Sequence, residues 1–153
     1  MALPASSPTR AFFFEIARPT AHEFLHRDDR RLGMLAAIVL SHVADYWACE
    51  QQGLGSTPTK LQAVRRHLKA TCPAFAILHD LADASKHYQL NDPTREKRLK
   101  PASRGALIGT FTLNSVAFNQ GPSPVMVTDP NGVPIPLAPV IQQVVDVWER
   151  ELE

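Results

Sequence analysis

The chain has 153 residues, 44% of them hydrophobic and 20% charged, with a formal net charge of +1. That length fits one domain, large enough to bury a core without metal or disulfide staples, and the near-neutral charge excludes a bulk pull toward nucleic acid or anionic lipid, so any such pull must come from a local patch. Cys49 and Cys72 stand alone at no recognised spacing, which excludes a disulfide framework or a zinc ribbon; both are expected as buried thiols of a reducing compartment.

Residues 1–10, "MALPASSPTR", read as a flexible N-terminus, with 11–153 as the single domain. "AFFFEIAR" is interrupted by Glu15 and precedes no small-residue cleavage site, so it does not read as a secretory leader. It is ambiguous between a short strand and a helical turn. Thr20 and Glu23 have capping-box spacing and predict the start of a short helix that ends near "HRDDRR". Asp28 or Asp29 then caps a second helix, with Gly53 just past its end. Leu32, Leu35, Ala36, Val39, Val43, Tyr46 and Trp47 recur at helical spacing along it. Its greasiest run, "LGMLAAIVL", is nine residues long before Ser41 and His42, short of the roughly 18 that a bilayer span needs. A cytoplasmic protein without membrane contact is therefore expected.

Pro58, with Thr57 as its cap, opens a third helix with an apolar stripe of Leu61, Val64 and Leu68 and a wet side of Lys60, Arg65, Arg66 and Lys69. Pro73 opens a fourth through about Gln89, with Phe75, Leu78, Leu81, Ala82, Ser85 and Tyr88 on its apolar face. Residues 91–105 break the pattern and gather positive charge: Arg95, Lys97, Arg98, Lys100 and Arg104 against Asp92 and Glu96. Leu107, Phe111 and Leu113 then alternate as in a strand, and the shift to Val116 and Phe118 after Asn114 predicts a bulge. Residues 124–137 read as a hairpin with Asp129-Pro130-Asn131-Gly132 at its tip. Pro134 and Pro136 confine its second strand to an edge. Pro139 opens a final helix with Ile141, Val144, Val145, Trp148 and Leu152 at helical spacing; the first, second and fourth of these are expected under the sheet. The fold class is α+β, mainly α: a four- or five-helix bundle with a small three-stranded antiparallel sheet and a C-terminal helix.

The densest polar stretch is "LHDLADASKHYQL", residues 78–90. On a helix, Asp80, Asp83 and His87 fall on one line and His79, Asp83 and Lys86 on the next. The stripe is expected to be accessible, opposite the Leu78–Leu81–Ser85–Tyr88 face. Asp83 can pair with Lys86 and His87 on a solvated face for a few tenths of a kcal/mol, about what exposed helix pairs contribute. Ala76, Ala82 and Ala84 leave room for a second backbone beside it; if the second helix passes there, His42 and Asp45, one turn apart in "HVAD", face the stripe. His42 shares a line with Leu35, Val39 and Tyr46, so it is expected to point inward and to meet Asp80, Asp83 or Tyr88, since a buried histidine needs a partner. His22 and His26 are four apart, a spacing that can chelate, without a third ligand. His67 lies among cations and reads as solvated. No metal or other cofactor is expected.

The segment Asp83-Ala84-Ser85-Lys86-His87, with "SHVADYW" upstream and "VVDVWEREL" near the end, resembles bacterial helical domains that carry an (Asn/Asp)-Ala-x-Lys-His helix end. The likeness covers most of the chain and implies an architecture without an activity. More widely the chain resembles the HEPN helical bundles, many of which are RNA-cleaving toxins or their relatives. Their nuclease motif, an arginine, four to six residues and a histidine, has no match here; at this helix end Lys86-His87 offers a lysine beside a histidine instead. "LHDLAD" also looks like the His-Asp step of HD-type metal phosphohydrolases, with His42 as the earlier ligand and Asp146 as the later one.

The expected function is a small binding domain for RNA or a nucleotide. Lys86, Arg95, Lys97, Arg98 and Lys100 are its candidate anion-binding residues, because cations near a helix end suit phosphate. The alternative is a metal-dependent or histidine-based phosphodiesterase or ribonuclease with His87, Asp83 and His42 as catalytic candidates. A third reading is a structural or oligomerisation module, pairing as a homodimer through the C-terminal helix or the edge strand.

Overall fold

The computed structural model describes residues 7–51, 58–86, 124–128 and 133–153, and in these the chain is mainly helical. An N-terminal rod comprises α1 (Pro8–Phe12), a π-helical turn (Phe13–Ala17) and α2 (Arg18–Arg27). Then come α3 (Arg30–Gln51), α4 (Pro58–Thr71), α5 (Pro73–Lys86), a hairpin of β1 (Met126–Thr128) and β2 (Pro134–Pro136), and α6 (Leu137–Leu152).

The rod begins earlier than Thr20, and inside the ten residues expected to be loose. Ser7 caps it, its Oγ accepting from the Arg10 N–H at 3.1 Å, and Pro8 supplies the preset first turn. The same hydroxyl donates to Glu50 Oε2 at 2.6 Å, and the N–H and hydroxyl of Thr9 donate to that oxygen as well. "AFFFEIAR" is thus neither strand nor isolated turn. Pro19 lacks an N–H and crowds the carbonyl four residues earlier, and the wider turn just ahead of it, closed by Arg18 N–H to Phe13 O, lets the rod continue. Thr20 lies inside the rod, its hydroxyl donating to Ile16 O at 2.7 Å, and Glu23 pairs with Arg27 instead of closing a capping box.

Two adjacent aspartates turn the corner. Asp28 takes the left-handed conformation, φ 43°, that ends α2, a position aspartate tolerates better than most residues. Its carboxylate accepts from Val125 N–H at 3.2 Å and so ties the hairpin to the corner. Asp29 accepts from Leu32 N–H at 3.0 Å and caps α3, as the sequence suggests.

Helix α3 runs through the bundle and meets the rod, α4, α5 and α6. Its buried face is Leu32, Ala36, Ala37, Leu40, Val43, Ala44, Trp47 and Ala48. The line Leu35–Val39–His42–Tyr46, expected to face inward, is the outer flank: Leu35 and Tyr46 are each 42% exposed, and the Tyr46 ring stacks on Phe12. Gly33 is there for closeness, since a Cβ would lie 2.8 Å from the Leu137 side chain and 2.9 Å from Phe24. By length and composition alone, Arg30–Glu50 is apolar enough to cross a membrane, beyond what its nine-residue run suggested; 56% of it is buried by the other elements, the pattern of a core helix.

The hairpin pairs Met126 with Pro136, Val127 with Ile135 and Thr128 with Pro134. The third strand expected near 107–113, its bulge and the 129–132 tip lie outside the described residues. Helix α6 buries Leu137, Val140, Ile141, Val144, Val145, Trp148 and Leu152. This face packs on α2, α3 and α5, so α6 closes the helical bundle, and Val125 and Val127 of the hairpin arm belong to the same buried cluster. Trp148 is fully buried, edge-on to Trp47 with ring centres 5.4 Å apart and to Phe75 at 6.4 Å. Cys72 is buried; Cys49, expected buried too, is exposed.

Trp148→Ala should cost about 3–5 kcal/mol, the range for truncating a buried aromatic, read as a lower urea midpoint; a wild-type midpoint would show that α6 does not close the core. Glu50 supplies a second expectation. Hydrogen bonds from Ser7 and Thr9 outweigh burial and hold its carboxyl below the usual glutamate range. Its contribution is therefore complete above the ordinary glutamate pKa and disappears as pH falls through the lowered one. The stability gap between wild type and Glu50→Gln should narrow on acidification across that window; a constant gap would refute the tether.

Candidate functional site

The stripe singled out in the sequence is not a wet face. α3, α4 and α6 all pack on α5, and His79 and Asp80 are each only 2% exposed. Asp83 lies at the margin, its side chain 23% exposed. Lys86 is the last residue of α5. His87, Arg95, Lys97, Arg98 and Lys100 lie outside the described residues, as does the Lys86 side chain.

What the fold brings together is a polar seam where α3, α4 and α5 meet. On α5, His79 Nδ1 is 3.6 Å from Asp83 Oδ2, one turn on, and 3.8 Å from Asp80 Oδ1. The same Asp80 oxygen is 3.8 Å from Lys69 Nζ of α4. One turn before Lys69, Arg65 donates from a terminal guanidinium nitrogen to Asp45 Oδ1 of α3 at 2.7 Å. The other oxygen of Asp45 lies 2.9 Å from His42 Nδ1. His42 thus finds its carboxylate on its own helix, and its side chain is 36% exposed rather than turned into the core. Arg65 and Lys69, expected on the wet side of α4, share one line of the helix and turn toward α3 and α5, while Arg66 and His67 on the opposite side are exposed.

Burial pushes the His79 imidazole below the ordinary histidine range. Lys69 and Arg65 push the same way, and Asp80 and Asp83 oppose them. The histidine is therefore neutral at pH 7. Among the described residues the seam gathers three carboxyl side chains, Asp45, Asp80 and Asp83, and two basic ones, Arg65 and Lys69, around His42 and His79. Such a cluster is costly to bury, and a perturbed group such as His79 marks functional sites as well as structural ion pairs. The structural role here is plain, since the two α4 cations fasten that helix to its neighbours. The chemical capacity is also plain: a carboxylate orienting a half-exposed imidazole and a guanidinium side by side suits phosphate binding or proton transfer.

Among the described residues, no group of three or more His, Cys, Asp or Glu side chains is arranged to hold a metal ion. The HD-type constellation is not assembled: Asp146 is exposed on α6, where its carboxylate accepts from Gln142. His22 and His26 are joined instead through a hydrogen bond of 2.7 Å between His26 Nδ1 and the His22 carbonyl. Arg65 and Lys69 are the members that sequence reasoning missed as site residues. Their positions border the Leu61–Val64–Leu68 stripe, and that adjacency is the one signal the sequence holds for them.

No protein-family model matches this chain, and no curated protein or solved structure shows significant similarity to it.

His79 makes the stability of the fold pH-dependent in a stated direction. Its folded pKa lies below its unfolded value, so the unfolded chain binds the proton more readily. The contribution is complete above the unfolded histidine pKa and is lost as pH falls through the lowered folded one. Urea midpoints should decline over that interval in wild type and decline less in His79→Gln. Parallel declines in the two proteins would show that His79 is not the group responsible.

Proposed function

We propose that the chain is a small RNA- or nucleotide-binding domain that holds phosphate at the α3–α4–α5 seam and along the outer side of α4. The observation that carries this reading is the Asp45 carboxylate, which holds His42 at 2.9 Å and Arg65 at 2.7 Å on a half-exposed rim. Fixing a guanidinium beforehand lowers the entropy lost when it meets a phosphate.

The charge distribution supports the same reading. Residues 58–71 carry four Lys and Arg side chains and no acidic one, and residues 86–104 carry six against two acids. In a chain of net charge +1, the excess of acid must lie elsewhere. The second of these segments starts at Lys86, the last residue of α5, and contains Arg95, Lys97, Arg98 and Lys100. Together with the exposed Arg66 these cations supply sequence-independent phosphate contacts.

The His42–Asp45 pair favours a second reading, a histidine-based phosphodiesterase. A carboxylate bonded to Nδ1 fixes the tautomer and orients the far ring nitrogen for acid–base work. Asp83 and His87 are the further catalytic candidates in that case.

Single-stranded RNA titrated at several salt concentrations tests the binding reading. Three or four phosphate contacts predict a logarithmic salt slope of roughly −2 to −3, at about −0.7 per contact. Arg66→Ala and Lys97/Arg98/Lys100→Ala should each weaken binding and flatten the slope. Equal binding by wild type and both variants, or none by any, would sink the proposal.

A further inference from the structure

We propose that the outer flank of α3 is the interface of a twofold-symmetric homodimer, each copy setting its Tyr46 ring into the hollow beside the other copy's Leu35. This goes beyond the phosphate reading and does not depend on it.

The flank is the side of α3 that the other described elements leave uncovered. The rod borders it on one side, through Phe12 on Tyr46 and through Ser7 and Thr9 on Glu50. Helix α4 borders it on the other, through Arg65 on Asp45. Leu35, Val39, His42 and Tyr46 run along it over three turns, about 16 Å at 1.5 Å per residue. Ile16 stands beside them, one turn of the rod on from Phe12. Of the four large apolar side chains exposed among the described residues, Ile16, Leu35 and Tyr46 are three. An exposed apolar strip of this kind marks an interaction surface, whereas single exposed side chains do not.

The two ends of the flank are unlike, and each fits the other. Tyr46 is an exposed ring at one end, and Phe12, stacked on it with centres 4.3 Å apart and planes 9° from parallel, fixes its direction. At the opposite end lies a hollow of about 450 Å³, whose described walls are Asp29, Arg30, Arg31, Met34 and Leu35. Arginine and methionine side chains receive aromatic rings well, through cation–π and sulfur–ring contacts. Antiparallel pairing of α3 with a second copy of itself sets each ring against the other's hollow. Leu35 then meets Tyr46 of the second copy, and Val39 meets its His42.

Charge selects the same arrangement. Between Arg31 and Asp45, α3 carries no Lys, Arg, Asp or Glu; its charged residues are Arg30 and Arg31 at the start and Asp45 and Glu50 toward the end. Antiparallel pairing brings the basic start of one copy to the acidic end of the other, with Arg31 opposite Glu50, and parallel pairing sets like charge on like. The bonds that Glu50 receives come from Ser7 and Thr9, which are neutral and hold its carboxyl ionised. One strip serves both copies, so the contact is isologous and closes at two chains.

The test is sedimentation equilibrium of the whole chain over a range of concentrations. Wild type should show the mass of two chains. Leu35→Glu and Tyr46→Glu should each raise the dimer dissociation constant by about tenfold or more, since each puts an unpaired charge into the contact. Both side chains are exposed in the single chain, so the helix content by circular dichroism should stay that of wild type. Cysteines read the register in a Cys49→Ser background. Leu35→Cys mixed with Tyr46→Cys should form a disulfide-linked pair on mild oxidation. Neither should link to itself, because like positions stand about 16 Å apart along the helix axes in this register. A wild type that keeps the mass of one chain at every concentration overturns the proposal. So does a dimer that Leu35→Glu and Tyr46→Glu leave unchanged, since it would use another face. Self-linked cysteines without the mixed pair overturn the antiparallel arrangement. Single-stranded RNA titrated into the same samples separates the two readings: binding by a one-chain species leaves the phosphate site standing without the dimer, and a dimer that binds no RNA does the reverse.

Discussion

The packing of α5 against α3 is the constraint on which the rest of the molecule depends. Ala36, Ala37, Ala44 and Ala48 on α3 and Ala74, Ala76 and Ala82 on α5 are all buried. Small side chains let two backbones approach closely, and the large ones, Leu40, Phe75, Leu78 and Leu81, fill what is left. α4 and α6 then cover the remaining sides of α5. A helix enclosed from three directions has too little free surface for a run of polar residues, so His79 and Asp80 go inside. The site is a consequence of the packing, and α5 carries both at once.

A carboxylate enclosed in this way needs a counter-charge, because breaking a buried pair by removing one partner costs about 3–5 kcal/mol. That requirement explains why α4 turns Lys69 inward toward Asp80, and Arg65, one turn before it, meets the partly exposed Asp45. Lysine and arginine are suited to the place, since a long apolar stem lets a charged end reach past an apolar stripe. Arg65 does so toward Asp45 at 2.7 Å, a charge-assisted bond on a carboxylate that also serves His42. Charges that glue α4 to the bundle are therefore the same charges that make the seam a candidate site.

Much of the architecture was legible in the sequence, and the reasons are local. Pro58, Pro73, Asp29 and the Ile141–Val144–Val145–Trp148 spacing each fix their helix through nearby atoms, and the hairpin is announced by its prolines. The N-terminal rod was not legible, because Thr20 and Glu23 carry a local capping signal that Pro19 and the π turn override. The seam was legible by halves. The sequence singled out His42, Asp45, His79, Asp80 and Asp83 by residue type, but periodicity says which residues share a face and not which face another helix will cover. His42 was therefore placed inside and His79 outside, and the structure reverses both. Arg65 and Lys69 look like any solvated cations until α3 and α5 stand next to them.

The walls of the seam are held by different forces. α3 is fixed at both ends by carboxylates: Asp29 caps its start, and Glu50 near its end gathers the bonds of Ser7 and Thr9. Asp28 ties the same corner to the hairpin, and an ion pair of 2.8 Å between Arg18 and Glu149 joins the rod to α6. Among the described residues α4 has fewer anchors. Among its described side chains Leu68 alone is buried, and the reach of Arg65 to Asp45 and of Lys69 to Asp80 supplies much of the rest. Apolar burial is nearly indifferent to salt and pH, whereas half-exposed charge pairs are screened by one and titrated by the other. The seam thus has one wall set by packing and one set by electrostatics. On the proposed reading, an anionic ligand that competes for Arg65 and Lys69 would act on the wall held by charge, and its binding would be coupled to the seating of α4.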